Sequence, residues 1–385
     1  MTVDLANYAG REQAYVKHYL LDIYLEALIH KIASRYDHVV YVDGFSGPWQ
    51  AAGTDFQDTS FGIALRALRS AKATWSAKRT VKMTAHLIEK SGRASQELAK
   101  LPPKFPDIEV IPHKGDFVAI AEALAKQIPR NAFVFLFIDP KGWRIDIQAI
   151  QPLLGMPNCE VLFNFMFEFI NRAASMRDPV IMQGLDELIR IGSWREKLAA
   201  AGSTVSPANR KRILIDAFAA TIGELGHYRY VAETPVLRPL RDREIYSLVY
   251  ATRKPPGIEV FRDCQVRTLR EQSAMRGAAK SSAQSTATGQ TEAFAFSEMA
   301  PDGTESFLSS EAAAAKQLIL QLAPPAPQTI LYGDLWPQVL SRHAIRKTEL
   351  GRMAATLRAS GELSFPDWAP RKQVPDDGYR MSRRV

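Results

Sequence analysis

The 385-residue sequence predicts an α/β protein with a Rossmann-like, doubly wound sheet, followed by a small C-terminal helical domain. Two observations predict this arrangement. Short apolar runs alternate with stretches of helical periodicity over the first two-thirds of the chain. Beyond them the composition becomes rich in Ala, Ser, Thr and Gly, and apolar periodicity then returns.

Five apolar runs bounded by turn signals are the strand candidates. They cover residues 39–45, 83–90, 108–116, 132–140 and 159–166. Helical patterns flank and separate them at residues 15–34, 61–71, 92–101, 117–128 and 145–154. Because strands alternating with helices form parallel sheets, the carboxyl ends of these strands should share one edge. Two further runs, 228–237 and 244–254, predict an antiparallel pair at one side of the sheet.

These patterns divide the chain into three parts. Residues 1–272 form the predicted Rossmann-like domain, with a helical insertion at 167–225 and a last helix at 257–272. Residues 273–309 are predicted to be a linker. Residues 310–385 suggest three short helices and a terminal hairpin, which is typical of a winged helix-turn-helix domain.

Composition and charge limit the classes of partner. The net charge of +8 favours an anionic partner. Only two cysteines occur, without the clustered spacing of a disulfide framework or zinc site. The sequence also has no secretion signal at its start and no apolar run near 20 residues. We therefore expect a cytoplasmic chain with no membrane partner and no metal.

The first strand leads into a glycine-containing loop, YVDGFSGP at residues 41–48. Glycine lets backbone amides approach a cofactor closely, and the spacing is not that of the dinucleotide motif GxGxxG. The loop resembles the first motif of S-adenosylmethionine-dependent methyltransferases. That resemblance implies that Asp43, Phe45, Ser46 and Gly47 contact the cofactor. The alternative is a tight strand-to-helix turn without a ligand.

The second and third strands also end in carboxylates. Glu89 is placed to accept hydrogen bonds from both ribose hydroxyls, as acidic residues do in dinucleotide folds. Asp116 is placed to accept from an adenine amino group, with Phe117 against the ring. Read by itself, Asp116 is equally suited to be the N-cap of the following helix.

The fourth strand ends in IDPKGW at residues 138–143. This position carries the catalytic motif [DNS]-P-P-[YF] in the amino-directed methyltransferases that the sequence resembles. The resemblance implies that Asp139 and the Pro140 carbonyl orient the target amine and that Trp143 stacks on the base. Lys141 replaces the second proline, and the aromatic comes one residue late. The alternative is that Asp139 and Pro140 end a strand and Trp143 is a core or lid residue.

Two further polar features, one on the first helix and one on the fifth strand, are candidates for the same site. Lys17 and His18, on the first helix, are assigned to the cofactor site because they could reach a carboxylate or phosphate. A surface location is the alternative for both. Asn164 ends the fifth strand, where it could line the same crevice or cap the next helix.

The C-terminal segment carries clustered cations. Residues 311–385 contain 11 Lys or Arg and 7 Asp or Glu, half of the chain's positive surplus. A helix with flanking cations is typical of duplex binding, so Arg342, Arg346, Lys347 and Arg352 are the predicted nucleic-acid contacts. Winged helices also bind proteins, and that alternative stays open.

The motifs together resemble the three-Cys-motif partner protein (TcmP) family over residues 8–272. The matching segments are residues 17–21, 41–48, 88–90, 115–116, 138–143, 164–165 and 250–257. The resemblance implies a partner that is a three-cysteine protein similar to radical S-adenosylmethionine enzymes. The sequence departs from the family pattern at residues 58–62, which read DTSFG where Gly-Ser-Pro is usual. The motifs are more distantly similar to those of ribosomal-RNA adenine-N6 methyltransferases.

Three functions are consistent with these residues. The first is an S-adenosylmethionine-dependent methyltransferase that acts on DNA or RNA, with adenine N6 as the favoured acceptor. The second is a catalytically altered, nucleic-acid-binding partner of the three-cysteine protein. The third is a nuclease that holds a metal on the strand-end acids, although strand-end acids spaced along an edge do not usually converge to ligand distance.

Overall fold

The computed structural model describes residues 3–47, 56–202, 205–288 and 303–384. Pro48, the last residue of the predicted cofactor loop, lies outside these ranges. The chain divides into two compact units, Met1–Arg253 and Lys254–Val385. The division falls before the helix at 257–272 that the sequence assigns to the first domain.

A seven-stranded sheet forms the centre of the first unit. Its strands are β1 His38–Asp43, β2 Lys82–Glu89, β3 Glu109–Lys114, β4 Phe133–Ile138, β5 Cys159–Phe165, β6 Tyr230–Leu237 and β7 Glu244–Thr252. They lie in the order β3-β2-β1-β4-β5-β7-β6. Strands β1 to β5 are parallel, and β7 is antiparallel to both β5 and β6. The predicted α/β class and the antiparallel pair are confirmed.

The central strands are mostly apolar, as is typical of parallel strands covered by helices on both faces of the sheet. Every residue of β4 and β5 is buried. The strand order reverses between β1 and β4, and ligands of open α/β sheets bind at such a switch point, beyond the carboxyl ends of the strands. The predicted acidic residues lie along this edge.

Nine helices of the first unit are described. They are α1 Glu12–Ala33, α2 Ser60–Trp75, α3 Gly92–Leu98, α4 Phe117–Gln127, α5 Gln151–Leu154, α6 Phe167–Ala173, α7 Pro179–Leu188, α8 Trp194–Ala201 and α9 Pro207–Gly226. The predicted insertion at 167–225 thus contains α6 to α9. The helix expected at 145–154 is wrong over its first half. There the Asp146 side chain accepts the Gln148 N–H at 3.0 Å, a local turn that competes with helix formation.

The second unit contains four helices and a small sheet in its described residues. They are α10 Pro255–Thr288, α11 Thr304–Leu322, α12 Tyr332–Arg342, α13 Lys347–Ala359, and strands β8 Ile330–Leu331, β9 Leu363–Ser364 and β10 Arg380–Arg383. Strand β10 lies between the other two and is antiparallel to both. Helices α11, α12 and α13 correspond to the three short helices predicted from the sequence, although α11 begins at Thr304, before residue 310. The winged-helix assignment stays a prediction.

The start of the predicted linker at residue 273 needs correction. Helix α10 continues to Thr288, and α11 already begins at Thr304. The extension is rich in alanine, the strongest helix former, and it buries Met275 and Arg276. Only residues 289–303 of the predicted linker lie between the two helices, and 289–302 are outside the described ranges.

Across the described ranges, we find no helix whose length and apolar content would let it cross a membrane.

Candidate functional site

The carboxyl ends of four neighbouring strands are joined by backbone hydrogen bonds. The Gly44 N–H donates to the Phe137 carbonyl at 3.0 Å, which ties the loop after β1 to β4. The Ser46 N–H donates to the Ile88 carbonyl at 2.8 Å, and the Gly115 N–H to the Glu89 carbonyl at 3.0 Å. The segments after β1, β2, β3 and β4 therefore lie side by side along one edge.

Asp43 lies inside the loop rather than on its surface. Its side chain is fully buried and accepts hydrogen bonds from the Tyr41 hydroxyl at 3.0 Å, the Ser60 hydroxyl at 2.6 Å and the Phe45 N–H at 3.1 Å. Burial raises the pKa of the Asp43 carboxyl to about 6; the three donors oppose that shift and Asp139 adds to it. Asp43 thus holds the loop to the start of α2.

Gly44 allows the loop to pack closely over α4. A Cβ atom at this position would lie 2.9 to 3.1 Å from ring carbons of Phe117. Phe45 meets the same ring edge to face, with 5.6 Å between the centroids. Phe117 is buried in the core under the loop, so it supports the loop from below. Ser46 is also buried, and its hydroxyl donates to the Asp43 carbonyl at 3.1 Å.

Glu89 keeps one carboxylate oxygen without a protein donor. Its Oε1 accepts the Ser91 N–H at 2.6 Å, while Oε2 receives no hydrogen bond from the described residues. The residue is 7% exposed at the tip of β2. This arrangement leaves Oε2 able to accept a further hydrogen bond, and the ribose contact stays a prediction.

Asp116 is the N-cap of α4. Its Oδ1 accepts the Val118 N–H at 3.0 Å, and its Oδ2 pairs with the Lys90 ammonium at 3.0 Å. The hydrogen bond from Lys90 lowers the pKa of the Asp116 carboxyl. Lys90 is itself mostly exposed, and an exposed ion pair of this kind is weak. The Asp116 side chain is 43% exposed, so its oxygens can accept a further hydrogen bond beside Lys90.

Asp139 joins α1, β4 and β5. Lys17 donates to its Oδ2 in an ion pair, and the Asn164 amide donates to its Oδ1 at 2.5 Å. The Lys17 ammonium also lies 5.9 Å from the ring centroid of Tyr246 on β7. The Oδ1 atom of Asn164 is buried without a hydrogen-bond partner. The site thus contains a neutralised carboxylate beside an unsatisfied acceptor.

The neighbouring His18 lies apart from this group. Its Nδ1 is 2.9 Å from the Tyr8 hydroxyl, and the residue is buried. Burial and the positive charge of Lys17 lower the pKa of His18 well below its ordinary value, so the ring is neutral at physiological pH. Of the two adjacent helix residues, the structure brings only Lys17 to the strand-end acids.

Trp143 packs toward α7 instead of standing free at the strand edge. A Cβ atom added at Gly184 would lie 3.0 Å from the Trp143 ring, which shows how closely the indole covers that helix. The Arg144 guanidinium lies 5.4 Å from the ring centroid on another side. Pro140 is buried and Lys141 is exposed. This packing corresponds to the core or lid alternative for Trp143.

Three residues of the site are not predicted from the sequence; they are Tyr41, Ser60 and Tyr246. Tyr41 and Asp43 share one face of β1, because side chains two apart on a strand point the same way, and that spacing could have found Tyr41. Ser60 and Tyr246 come from distant segments. No local sequence signal could have placed them here.

The predicted nucleic-acid cations of the second unit fall into two groups. Arg346 pairs with Glu349 at 2.6 Å, and Lys347 pairs with Asp377 at 3.2 Å and lies over the Trp336 ring. Both are thus engaged within the unit. The remaining two predicted contacts are exposed and have no ion-pair partner among the described residues; they are Arg342 and Arg352.

In the part of the chain that the structure describes, no three His, Cys, Asp or Glu side chains are grouped to hold a metal ion. The nuclease alternative therefore gains no support. A cavity of about 910 Å³ is lined by residues of α7, α8 and the turn between them. None of the predicted site residues lines it.

Comparisons with known proteins find solved structures that are similar at low sequence identity. No protein-family model and no curated protein matches the sequence. The structure is similar to the protein LPL1258 of Legionella pneumophila, with a TM-score of 0.39 and 11% identity over 63% of this chain and 88% of that one. It is also similar to loganic acid methyltransferase solved with SAH, with a TM-score of 0.29 and 8% identity over 74% and 90% of the two chains.

A third similar structure is the YcgJ protein of Bacillus subtilis, with a TM-score of 0.24 and 12% identity over 60% of this chain and 98% of that one. The strand order and the parallel pairing of β1 to β5 identify the first unit as a mixed α/β, Rossmann-like fold.

Proposed function

We propose that this chain is an S-adenosylmethionine-dependent methyltransferase that acts on nucleic acid, with an exocyclic amine such as adenine N6 as the acceptor. One observation carries the proposal. Polar groups with unfilled hydrogen-bonding capacity stand near the carboxyl ends of strands on both sides of the switch point: Glu89 on β2, and Asn164 on β5 beside Asp139.

The cofactor side of this edge fits an adenosyl group. The free Oε2 of Glu89 suits a ribose, and Asp43 fixes the loop beside it through three hydrogen bonds. When bound, S-adenosylmethionine supplies an activated methyl group. The residues of this chain would bind and orient it, because methyl transfer is a displacement that depends on positioning.

The side of this edge where the methyl acceptor would bind, near Asp139 and Asn164, fits an amine. A buried acceptor without a donor costs free energy, and an N–H from a bound base would satisfy Asn164 Oδ1. Asp139 would accept a second N–H in place of Lys17. The carboxylate and the amide oxygen would then hold the amine with its lone pair toward the methyl group.

Calorimetry with S-adenosylmethionine and its demethylated product tests the cofactor assignment. We expect the wild-type chain to bind both and Glu89→Ala to bind at least tenfold more weakly, since hydrogen bonds to a charged group contribute about 1.5–3 kcal/mol. Glu122→Ala on the exposed face of α4 is the matched control and should bind normally. Absence of heat with both ligands in the wild type would refute the proposal.

A second candidate function, a non-catalytic nucleic-acid-binding partner of a three-cysteine protein, is favoured by the Lys17–Asp139 ion pair and by the exposed Lys141. An occupied, neutralised carboxylate is a poor acceptor for an amine. Transfer of tritium from labelled cofactor to DNA or RNA separates the two candidates. Transfer that Asp139→Ala abolishes supports catalysis. Its absence, with and without the partner, supports the second candidate.

A further inference from the structure

We propose that a basic and aromatic surface near the side of the sheet that holds Asn164 binds single-stranded nucleic acid. The surface, named here the α6 patch, comprises Phe169, Arg172, Met176, Arg177, Leu240 and Arg241. This inference rests on the proposed function, because it states that the nucleic-acid substrate reaches the site as a single strand. Its own support is the geometry and charge of the patch.

The patch lies at the same edge as the predicted site. Helix α6 follows β5 after a single residue, Met166, so it starts at the carboxyl end of that strand. Strand β6 runs parallel to β5 because β7 is antiparallel to both, so the loop after β6, residues 238–243, leaves at that edge too. The two segments thus flank the side of the sheet that holds Asn164.

Ion pairs bind the loop to the helix. Glu168 on α6 accepts from Arg238 at 2.6 Å and from Arg243 at 3.0 Å, and its own side chain is only 11% exposed. These bonds consume the negative charge of Glu168. Asp178 is similarly engaged, since it caps α7 by accepting the N–H groups of Val180 and Ile181. Over residues 168–178 and 238–243, five arginines stand against the three acids Glu168, Asp178 and Asp242, so cations outnumber acids around the patch.

The exposed side chains combine apolar area with arginine. Phe169 is 43% exposed, Met176 49% and Leu240 56%, so the patch presents apolar area to solvent. The Arg172 guanidinium lies 4.9 Å from the Phe169 ring centroid. Neither Arg172 nor Arg177 forms an ion pair within the described residues. Aromatic rings and free arginines together are what stacked bases and phosphates require.

Single strands fit this surface better than duplexes. A duplex keeps its bases stacked on one another and offers an exposed ring few base faces, whereas an unpaired strand offers every base. An enzyme that modifies a base also needs it unpaired or extruded. The patch would hold nucleotides flanking the base at Asp139, with phosphates against the arginines.

Fluorescence anisotropy with labelled 20-nucleotide RNA and DNA, each single-stranded and as a duplex, tests the inference on the full chain. We expect the double variant Phe169→Ala with Arg172→Ala to bind both single strands at least tenfold more weakly, since it removes a ring on which a base stacks and a cation that contacts a phosphate. Phe169→Trp should retain binding. Arg130→Ala, an exposed arginine before β4 at the opposite edge, is the charge-matched control and should bind normally.

Several results would overturn the inference: no single-strand binding by the wild type, unchanged binding by the double variant, or loss confined to duplexes. If the patch binds a protein partner instead, the wild type would not bind single strands. The cofactor calorimetry is independent, because the α6 patch contains no predicted cofactor residue. If S-adenosylmethionine binds and the patch variants bind RNA and DNA normally, this inference fails while the proposed function stands.

Discussion

At the scale of single residues, the site consists of acids with different environments. Asp43 is buried and accepts three hydrogen bonds, whereas Glu89 keeps one oxygen without a donor. Asp116 caps a helix, and Asp139 is paired with Lys17. The sequence predicts that all four stand at strand ends. It cannot predict which are free to meet a ligand, because that depends on neighbours from distant segments.

The buried Asp43 should make stability depend on pH. Its folded-state pKa, about 6, lies above the ordinary value of 3.8, so between these values the folded state retains a proton that the unfolded state has released. Its contribution to stability is therefore present below pH 4 and lost as the pH rises through 6.

Asp43→Asn cannot titrate and should remove this dependence. We expect the free energy of unfolding of the wild type, minus that of Asp43→Asn, to fall by about 3 kcal/mol at most between pH 4 and pH 7. Urea unfolding at a series of pH values measures the difference. A difference that does not change with pH would show that the carboxyl is not desolvated in the folded chain.

Gly44→Ala should strain the packing of the loop on Phe117. The added methyl group would lie about 3 Å from the ring, and overpacking of this kind typically costs about 1–3 kcal/mol. Urea unfolding measures the loss. Adding Phe117→Leu should make the combined effect smaller than the sum of the two single effects, and strict additivity would contradict the contact.

At the scale of elements, the sequence predicts β1, β4 and β5 well because each is a mostly buried, mostly apolar run with a turn after it. Periodicity fails where side chains form competing local bonds, as Asp146 does before α5. It also fails where composition misleads: the Ala- and Ser-rich segment after residue 272 continues α10 because Met275 and Arg276 are buried. The role predicted for Trp143 comes from a motif, whereas its position against α7 depends on tertiary packing.

Glu168 is expected to control the order of the loop after β6. Glu168→Ala removes the acceptor of both Arg238 and Arg243, so the loop loses its anchor on α6. Hydrogen exchange of residues 238–243 should become at least several-fold faster, while that of β5 stays unchanged. As a control, Glu187→Ala on α7 should leave the loop's exchange as in the wild type; equal acceleration there would contradict the role of Glu168.

At the scale of the whole molecule, the chain combines a Rossmann-like unit with a second unit of helices and a small antiparallel sheet. Nucleic-acid contacts are proposed on each, at the α6 patch and at the exposed cations Arg342 and Arg352. The engaged pairs of Arg346 and Lys347 make these two residues weaker candidates for phosphate contacts.

Arg352→Ala should reduce the salt dependence of duplex binding. Removing one cation that pairs with a phosphate lowers the slope of log affinity against log salt concentration by about 1. Anisotropy titrations at several salt concentrations measure the slope, with Arg130→Ala as the control. An unchanged slope for Arg352→Ala would remove this residue from the interface.

The most direct test of the account is a crystal structure of the chain with the demethylated product of S-adenosylmethionine. We expect the ribose hydroxyls within about 3 Å of the Glu89 carboxylate, beside the Asp43 loop. A ligand bound in the cavity between α7 and α8, or no ligand at the strand ends at saturating concentration, would contradict the assignment of this edge as the cofactor site.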